Sequence, residues 1–317
     1  MGRIDEALRR AGRTRRDPDL PRGTDGPFVS PWSPAEGDFK GEAVAAIAPA
    51  PAAPRRPLHQ RAEPNWVPLQ SFAAGWRERL AIGRQSNALL ADQFRRLAAT
   101  LLQVQRGEKL RTVMVTSAHA ADGKTITAVN LGLVLSESYG RRVLLVEGDL
   151  RRPAISRVAG VAIGPGLNEA LKADDDRQPS LVRLTETLTL LPAGQPSADP
   201  LSALTSARFQ ALLQDASEKF DFVIVDSPPL AATTDATLLC PLVDAVLLVV
   251  RAGCTPLESV RQAIDALGRD RILGVVLNAS EQAAEDGHGY EYYAATPTDS
   301  VVSRSLSLIP LQPDAEL

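Results

Sequence analysis

Six short, continuous apolar runs constrain the fold of this chain more than any other feature of its sequence. They span residues 112–116, 143–146, 188–191, 222–225, 245–250 and 272–277. Runs without polar alternation are typical of parallel strands that are covered on both faces. Helical patterns separate them, over residues 88–105, 125–139, 206–219 and 256–267. This alternation predicts an α/β fold with a doubly wound, mostly parallel sheet, whose ligands bind beyond the carboxyl ends of the strands.

The first part of the chain differs in composition from the rest. Eleven of the 24 prolines lie between Pro18 and Pro68, which disfavours continuous helix or sheet there. Residues 1–85 are therefore predicted to be a largely disordered, Pro/Ala-rich extension. A short helix over residues 3–11 is either a frayed terminus or a docking helix for a partner. Residues 86–285 are predicted to form the folded domain, and residues 286–317 a flexible tail.

Bulk composition excludes several classes of function. The net charge of −3 does not favour a nucleic-acid partner. The two cysteines fit neither a disulfide framework nor a metal site, which indicates a reducing compartment. No run approaches the ~20 apolar residues of a membrane span, and the charged N-terminus is unlike a signal peptide. The expected location is the cytoplasm, with any membrane association supplied by a partner.

The segment from Ser117 to Thr125 has the context of a phosphate-binding loop, because it leaves one predicted strand and opens a helix. Backbone N–H groups of such a loop attract phosphate oxygens. Lys124 is expected to reach the β and γ phosphates of ATP, and the Thr125 hydroxyl to hold Mg²⁺. The expected nucleotide-binding residues of this segment are Ala120, Ala121, Asp122, Gly123, Lys124, Thr125 and Ile126.

Acidic residues follow two further strands. Glu147 and Asp149 come after the run at 143–146, and Asp226 ends the run at 222–225. Carboxylates at these strand ends can hold Mg²⁺ and accept a proton from an attacking hydroxyl. Each motif is weak alone, but the order of loop, acid pair and aspartate is much more specific. Lys124, Glu147, Asp149 and Asp226 are the candidate catalytic residues.

A tyrosine cluster lies beyond the last predicted strand. Three of the four tyrosines of the chain, Tyr290, Tyr292 and Tyr293, fall within four residues. The cluster is either a set of aromatic side chains packed on the domain edge or an exposed, tethered group of phosphate acceptors.

These four features, in this order, resemble the bacterial tyrosine kinases of capsule and exopolysaccharide synthesis, the BY-kinases. The resemblance covers about residues 86–293, and the start at residues 3–8 is similar to that of stand-alone members. The segments at 191–194 and 199–201 are similar to the family's A-G … N-P-x-x-L stretch. Residues 274–278 match the G-x-V-L-N strand, whose asparagine, here Asn278, contacts adenine in relatives.

The resemblance implies a P-loop fold of the deviant-Walker type, which partitioning ATPases share. It implies an ATP- and Mg²⁺-dependent protein-tyrosine autokinase, with Thr125, Asp149 and Asp226 at the metal. Its acceptors would be Tyr290, Tyr292 and Tyr293, usually those of a neighbouring subunit in a homo-oligomeric ring. The expected partners are a membrane-embedded polysaccharide chain-length determinant, which would bring the kinase to the inner membrane, and a phosphotyrosine phosphatase.

Three motifs depart from the family pattern. Ala120-Ala121 replaces the usual Pro-Gly, which costs backbone freedom if position 121 requires a positive φ. Glu147 replaces the usual first aspartate of the pair. In the helix motif that helps to close rings, E-x-x-R-x-x-R, Asp92 and Arg95 are followed by Ala98 instead of a second arginine.

Two alternatives stay open beside the autokinase. The altered loop and Glu147 are also compatible with a catalytically weak, ATP-binding regulator of a chain-length determinant. A positioning ATPase shares the fold, but His119 stands where that family carries a second lysine, and the tyrosine cluster has no role in it.

Overall fold

The computed structural model describes residues 65–83, 86–161, 164–172, 179–280 and 305–310, with the last stretch given by its backbone alone. The helix expected over residues 3–11 and the tyrosine cluster lie outside the described residues. So does the expected tail, apart from residues 305–310. Those six residues form a strand.

The described residues form one nine-stranded sheet, with strand order β1-β4-β5-β3-β6-β2-β7-β8-β9. All neighbouring strands are parallel except β4–β5 and β8–β9. The doubly wound, mostly parallel sheet expected from the sequence is therefore confirmed. The strands are β1 (Asn65–Trp66), β2 (Thr112–Ser117), β3 (Val143–Glu147), β4 (Val182–Arg183), β5 (Leu188–Leu191), β6 (Phe222–Asp226), β7 (Ala245–Arg251), β8 (Ile272–Ser280) and β9 (Ser305–Pro310).

Helices cover both faces of this sheet. They are α1 (Ala74–Arg77), α2 (Ala88–Gly107), α3 (Lys124–Glu137), α4 (Ile155–Ala159), α5 (Leu167–Lys172), α6 (Leu201–Leu204), α7 (Ala207–Lys219), α8 (Asp235–Leu239) and α9 (Leu257–Leu267). Short 3₁₀ turns occupy Leu69–Ser71, Cys240–Leu242 and Arg269–Arg271. The four helices that the periodicity predicts correspond to α2, α3, α7 and α9.

Two apolar cores lie on opposite faces of the sheet. Along β2, Val113 and Val115 belong to one core and Met114 to the other, because successive side chains of a strand point to opposite faces. Helices α2 and α3 pack on the first core. Helices α7 and α9 pack on the second, so every central strand is covered on both sides.

The segment before α2 is part of the folded domain. Phe72 and Leu80 are each only 2% exposed and pack in the same core as α2 and α3. The buried side chain of Asn130 on α3 accepts a hydrogen bond from the Ala81 N–H at 2.7 Å and donates one to the Arg79 carbonyl at 2.8 Å. The boundary expected at residue 85 thus lies earlier, at or before residue 65. We call residues 65–83 the strap.

Candidate nucleotide site

The site lies where three neighbouring strands end. In the sheet, β6 lies between β2 and β3, and the ladder pairs Asp226 with both Val115 and Glu147. Because the three strands are parallel, the loops that follow them meet at one edge of the sheet. Topology therefore brings the three sequence motifs together, as the order of motifs indicated.

The loop between β2 and α3 has an unusual backbone. Gly123, the residue before α3, has φ of +103°, and Ala121 has φ of +66°. The left-handed region costs a residue with a Cβ about 1–2 kcal/mol. The position that carries glycine in the family pattern therefore does require a positive φ here, and Ala121 adopts it at that cost.

Asp122 braces this loop from within. Its carboxylate accepts hydrogen bonds from the His119 N–H at 2.9 Å and from the Thr255 hydroxyl, in the loop after β7, at 2.8 Å. Burial raises the pKa of Asp122, and the two hydrogen bonds oppose that rise. The sequence predicts that Asp122 contacts the nucleotide. Its side chain points into the protein, where it links the phosphate loop to the loop after β7.

Asn278 contacts the same loop from β8. Its side-chain nitrogen donates to the Asp122 carbonyl at 2.8 Å. A Cβ at position 123 would lie 1.9 Å from that nitrogen, so the asparagine packs directly over Gly123. The family resemblance implies that Asn278 contacts the adenine ring of the nucleotide. The structure brings it to the phosphate loop.

Lys124 is the centre of the charged cluster. Its Nζ lies 3.6 Å from Asp149 Oδ2, 3.8 Å from Asp226 Oδ1 and 3.1 Å from the Thr125 hydroxyl. The Lys124 side chain is 13% exposed, that of Asp149 9%, and that of Asp226 1%. The cluster is therefore nearly closed to water, with Asp149 on its more open side.

Asp226 has no hydrogen-bond partner among the described residues at either carboxylate oxygen. Burial raises its pKa to about 7, although the Lys124 ammonium opposes the rise. A buried carboxylate that accepts no close hydrogen bond, beside a threonine hydroxyl and 3.8 Å from an ammonium group, fits Mg²⁺, which binds one or two carboxylates together with phosphates and waters. Asp226 and Thr125 are the residues that would hold the ion.

Glu147 is not part of this cluster. It is fully buried, and its carboxylate accepts hydrogen bonds from Ile155, Ser156 and Ala193. The structure therefore separates the acid pair: Asp149 faces Lys124, whereas the Glu147 carboxylate accepts hydrogen bonds from the first turn of α4 and from Ala193.

An ion pair that sequence patterns did not reveal holds the loop after β3. Arg151 contacts Asp235 through Nε at 2.7 Å and Nη2 at 3.1 Å, and the Asp235 side chain is 1% exposed. Arg151 also donates to the Ala198 carbonyl. The two partners lie 84 residues apart, so no local signal pairs them.

Some of the remaining predicted residues lie in or near the phosphate loop, and others do not belong to the site that the structure describes. Ala120 is exposed in the loop, and Ile126 is half-buried in the first turn of α3. Tyr290, Tyr292 and Tyr293 lie outside the described residues, so their role as acceptors stays a prediction. Ala98 is fully buried in the core, so this side chain is not available to a neighbouring subunit.

The sheet, the loop that opens α3 and the carboxylates beside Lys124 define a nucleotide-binding protein of the P-loop α/β class. No protein-family model matches the chain. The chain is 30% identical over 195 residues to the tyrosine-protein kinase CpsD of Streptococcus pneumoniae serotype 4, covering 59% of this chain and 84% of CpsD. It is 32% identical over 198 residues to the succinoglycan biosynthesis transport protein ExoP of Rhizobium meliloti, covering 60% of this chain but 25% of ExoP.

A solved structure shows the same likeness. The kinase domain of VpsO is 30% identical to this chain, with a TM-score of 0.52, and the match covers 60% of this chain and 95% of that domain. The chain belongs to the family of bacterial tyrosine-protein kinases.

Proposed function

We propose that this chain is an ATP- and Mg²⁺-dependent protein-tyrosine autokinase. One observation carries the proposal: Lys124, on a phosphate loop, lies between Asp149 and Asp226 in a cluster nearly closed to water. Phosphoryl transfer depends mainly on positioning and on neutralising charge, and this cluster supplies both.

Each residue of the cluster has a distinct task. The backbone N–H groups at the start of α3 face the phosphates, as they do at other helix N-termini. Lys124 offsets the negative charge of the transferred phosphoryl group. Thr125 and Asp226 would hold Mg²⁺, which would supply positive charge to offset the negative charge that develops on the phosphate oxygens.

Asp149 is placed to accept the proton of the attacking tyrosine. It is the more exposed of the two carboxylates, so an entering hydroxyl reaches it first. The tyrosine oxygen bonds to the γ-phosphorus of ATP, and the bond from that phosphorus to the β–γ bridging oxygen breaks. ADP leaves with that oxygen, and the tyrosine proton passes to Asp149.

Tyr290, Tyr292 and Tyr293 are the proposed acceptors. They follow β8, whose residue Asn278 contacts the phosphate loop, so the chain leaves the sheet at the edge that carries the site. Each phosphate adds about −1.5 to −2 charges at neutral pH. Several together would repel a neighbouring copy and loosen the proposed homo-oligomer.

The proposed role is in exopolysaccharide synthesis and export. Support comes from the likeness to ExoP, which is a succinoglycan biosynthesis transport protein. ExoP is about four times as long as the matched segment, so a separate chain is the proposed source of the remaining functions. We propose that this separate chain is a membrane-embedded chain-length determinant, whose cytoplasmic tail would activate the kinase at the inner membrane. A phosphotyrosine phosphatase would reverse the modification.

Among the residues that the structure describes, no helix has the length and apolar character needed to cross a bilayer. The proposed location is the cytoplasm, beside the inner membrane.

Substituting the two aspartates separately tests the proposal, because Asp226 is assigned to Mg²⁺ and Asp149 to proton transfer. Asp226→Asn should weaken Mg²⁺-dependent binding of a fluorescent ATP analogue, whereas binding in EDTA should be unchanged. Asp149→Asn should bind Mg-ATP normally but transfer phosphate at least about 100-fold more slowly, the usual contribution of a positioned general base. Equal effects of the two substitutions on binding and transfer would contradict these roles.

A second candidate is a nucleotide-binding regulator that transfers nothing. Two departures from the family pattern favour it: Ala121 stands at a position with a positive φ, and the Glu147 carboxylate lies outside the Lys124 cluster. It predicts Mg-ATP binding without phosphotyrosine, even when the cytoplasmic tail of the partner is present.

A further inference from the structure

The carboxylate of Glu147, the last residue of β3, has all of its contacts inside the protein. Oε1 accepts hydrogen bonds from the Ile155 N–H at 2.6 Å and the Ser156 N–H at 3.1 Å. Oε2 accepts from the Ser156 hydroxyl and from the Ala193 N–H, the latter at 3.1 Å. The side chain is fully buried. Four donors to one buried carboxylate satisfy the charge without any ligand.

These donors lie at the far end of the loop that carries Asp149. Ile155 and Ser156 form the first turn of α4, where backbone N–H groups lack partners within the helix. One carboxylate therefore joins both ends of the segment 147–156. Ala193, which follows β5, adds a third point of attachment. The base of the Asp149 loop is closed by this single side chain.

The other contacts of the loop fix its tip. Asp149 Oδ1 accepts from the Arg152 N–H at 3.0 Å, and Arg151 is held by the buried Asp235. With the base closed at Glu147 and the tip held at Arg151, the Asp149 Oδ2 atom lies 3.6 Å from the Lys124 ammonium.

We propose that Glu147 is a positioning residue, which sets the place of Asp149 through the backbone of its loop, rather than a ligand or a proton acceptor. This inference relies on the proposed function for the task of Asp149, but not for the contacts of Glu147. Glu147→Gln keeps the size of the side chain but turns one acceptor oxygen into a donor, which faces N–H groups. Ser156→Ala removes one donor and leaves the carboxylate intact.

The two variants make the role of Glu147 measurable. Under the proposal, both speed amide hydrogen exchange over residues 148–156 and at Ala193, in the protein without nucleotide or metal. Both lower kcat for phosphotyrosine formation, Glu147→Gln by about 10-fold or more, because misplaced supporting groups cost this much in other sites. The KM for ATP changes little, since the phosphate loop is held by other contacts. The double variant is no slower than Glu147→Gln alone.

A matched control is Ser217→Ala on α7. Among the described contacts, the exposed Ser217 hydroxyl donates a hydrogen bond only to the Gln214 carbonyl. It should leave both exchange and kcat unchanged.

Three outcomes would overturn the inference. In the first, Glu147→Gln loses most of its kcat but shows normal amide exchange, and Ser156→Ala is fully active. Glu147 would then act directly on the reaction. Another is unchanged exchange in both variants. A third is faster exchange over the loop with unchanged kcat in an active kinase, which would make the contact purely structural. If Glu147→Gln fails to fold, Ser156→Ala decides by the same readouts. If the wild-type protein forms no phosphotyrosine, the proposed function fails, and normal exchange in Ser156→Ala still overturns the inference.

Discussion

The side-chain nitrogen of Asn278 donates a hydrogen bond to the Asp122 carbonyl at 2.8 Å, which joins β8 to the phosphate loop across 156 residues. The same nitrogen occupies the space that a Cβ on Gly123 would need. The loop is thus shaped by a contact from a distant strand, as well as by the helix that it opens.

Gly123→Ala should therefore cost about 10-fold or more in ATP-analogue affinity, because the left-handed φ strains the new residue and its Cβ displaces Asn278. Titration with a fluorescent analogue measures it. Gly140→Ala is the control, since Gly140 also has a positive φ but has open space around a Cβ and lies outside the site. It should lower stability alone. Wild-type affinity in Gly123→Ala would rule out this account of the loop.

Ala121→Gly should stabilise the protein. Relief of the left-handed strain is worth about 1–2 kcal/mol, and the greater freedom of glycine in the unfolded chain takes back about 0.4–1 kcal/mol. A net gain on the order of 1 kcal/mol is expected in urea unfolding, because the exposed Ala121 side chain loses little packing. Ala120→Gly, at a negative φ, should destabilise instead. A loss of stability in Ala121→Gly would contradict the strain.

The stability of the metal-free protein should fall as pH rises toward neutrality. The pKa of Asp226 is raised from 3.8 to about 7, so the folded protein binds the proton more tightly than the unfolded chain. The bound proton stabilises the folded protein fully below pH 3.8, and this stabilisation is lost as pH rises through 7. Between these two values the free energy of unfolding falls by an amount on the order of 1 kcal/mol per pH unit.

Asp226→Asn isolates this effect, because the amide does not titrate. Urea unfolding at pH 5, 6, 7 and 8 without Mg²⁺ should show a shallower pH dependence in the variant than in the wild type. Parallel curves would mean that Asp226 is ionised throughout and that its burial carries no such penalty.

The strap supplies a prediction about the limits of the domain. Phe72 is 2% exposed, so Phe72→Ala should cost about 3–5 kcal/mol of unfolding free energy. Trp66→Ala removes a larger side chain from the same segment, but Trp66 is 54% exposed and should cost far less. Equal, small losses in urea unfolding would show that the strap does not support the core.

The central strands and the site were predictable because local pattern determines both. A continuous apolar run such as the one in β7 has few alternatives to a buried strand, and acids that follow parallel strands meet at one edge. Lys124, Asp149 and Asp226 could therefore be grouped from the sequence alone.

Other features depend on contacts between distant residues. The strap carries large apolar side chains, but it directly follows the Pro-rich stretch that led to the linker prediction, and Phe72 and Leu80 become core residues only because α2 and α3 pack beside them. Glu147 looks like half of an acid pair, and only the approach of α4 and Ala193 gives its carboxylate other partners. Arg151 and Asp235 meet because two loops do.

Phosphate mapping by mass spectrometry, after the purified protein is incubated with Mg-ATP, decides whether this chain is a tyrosine autokinase. The incubation is done with and without the cytoplasmic tail of the proposed partner. The account predicts phosphate on Tyr290, Tyr292 or Tyr293 in the wild type and none in Lys124→Met, whose folding is checked by thermal unfolding. Unmodified tyrosines in the wild type under both conditions, with ATP binding intact, would contradict the autokinase and leave the nucleotide-binding regulator.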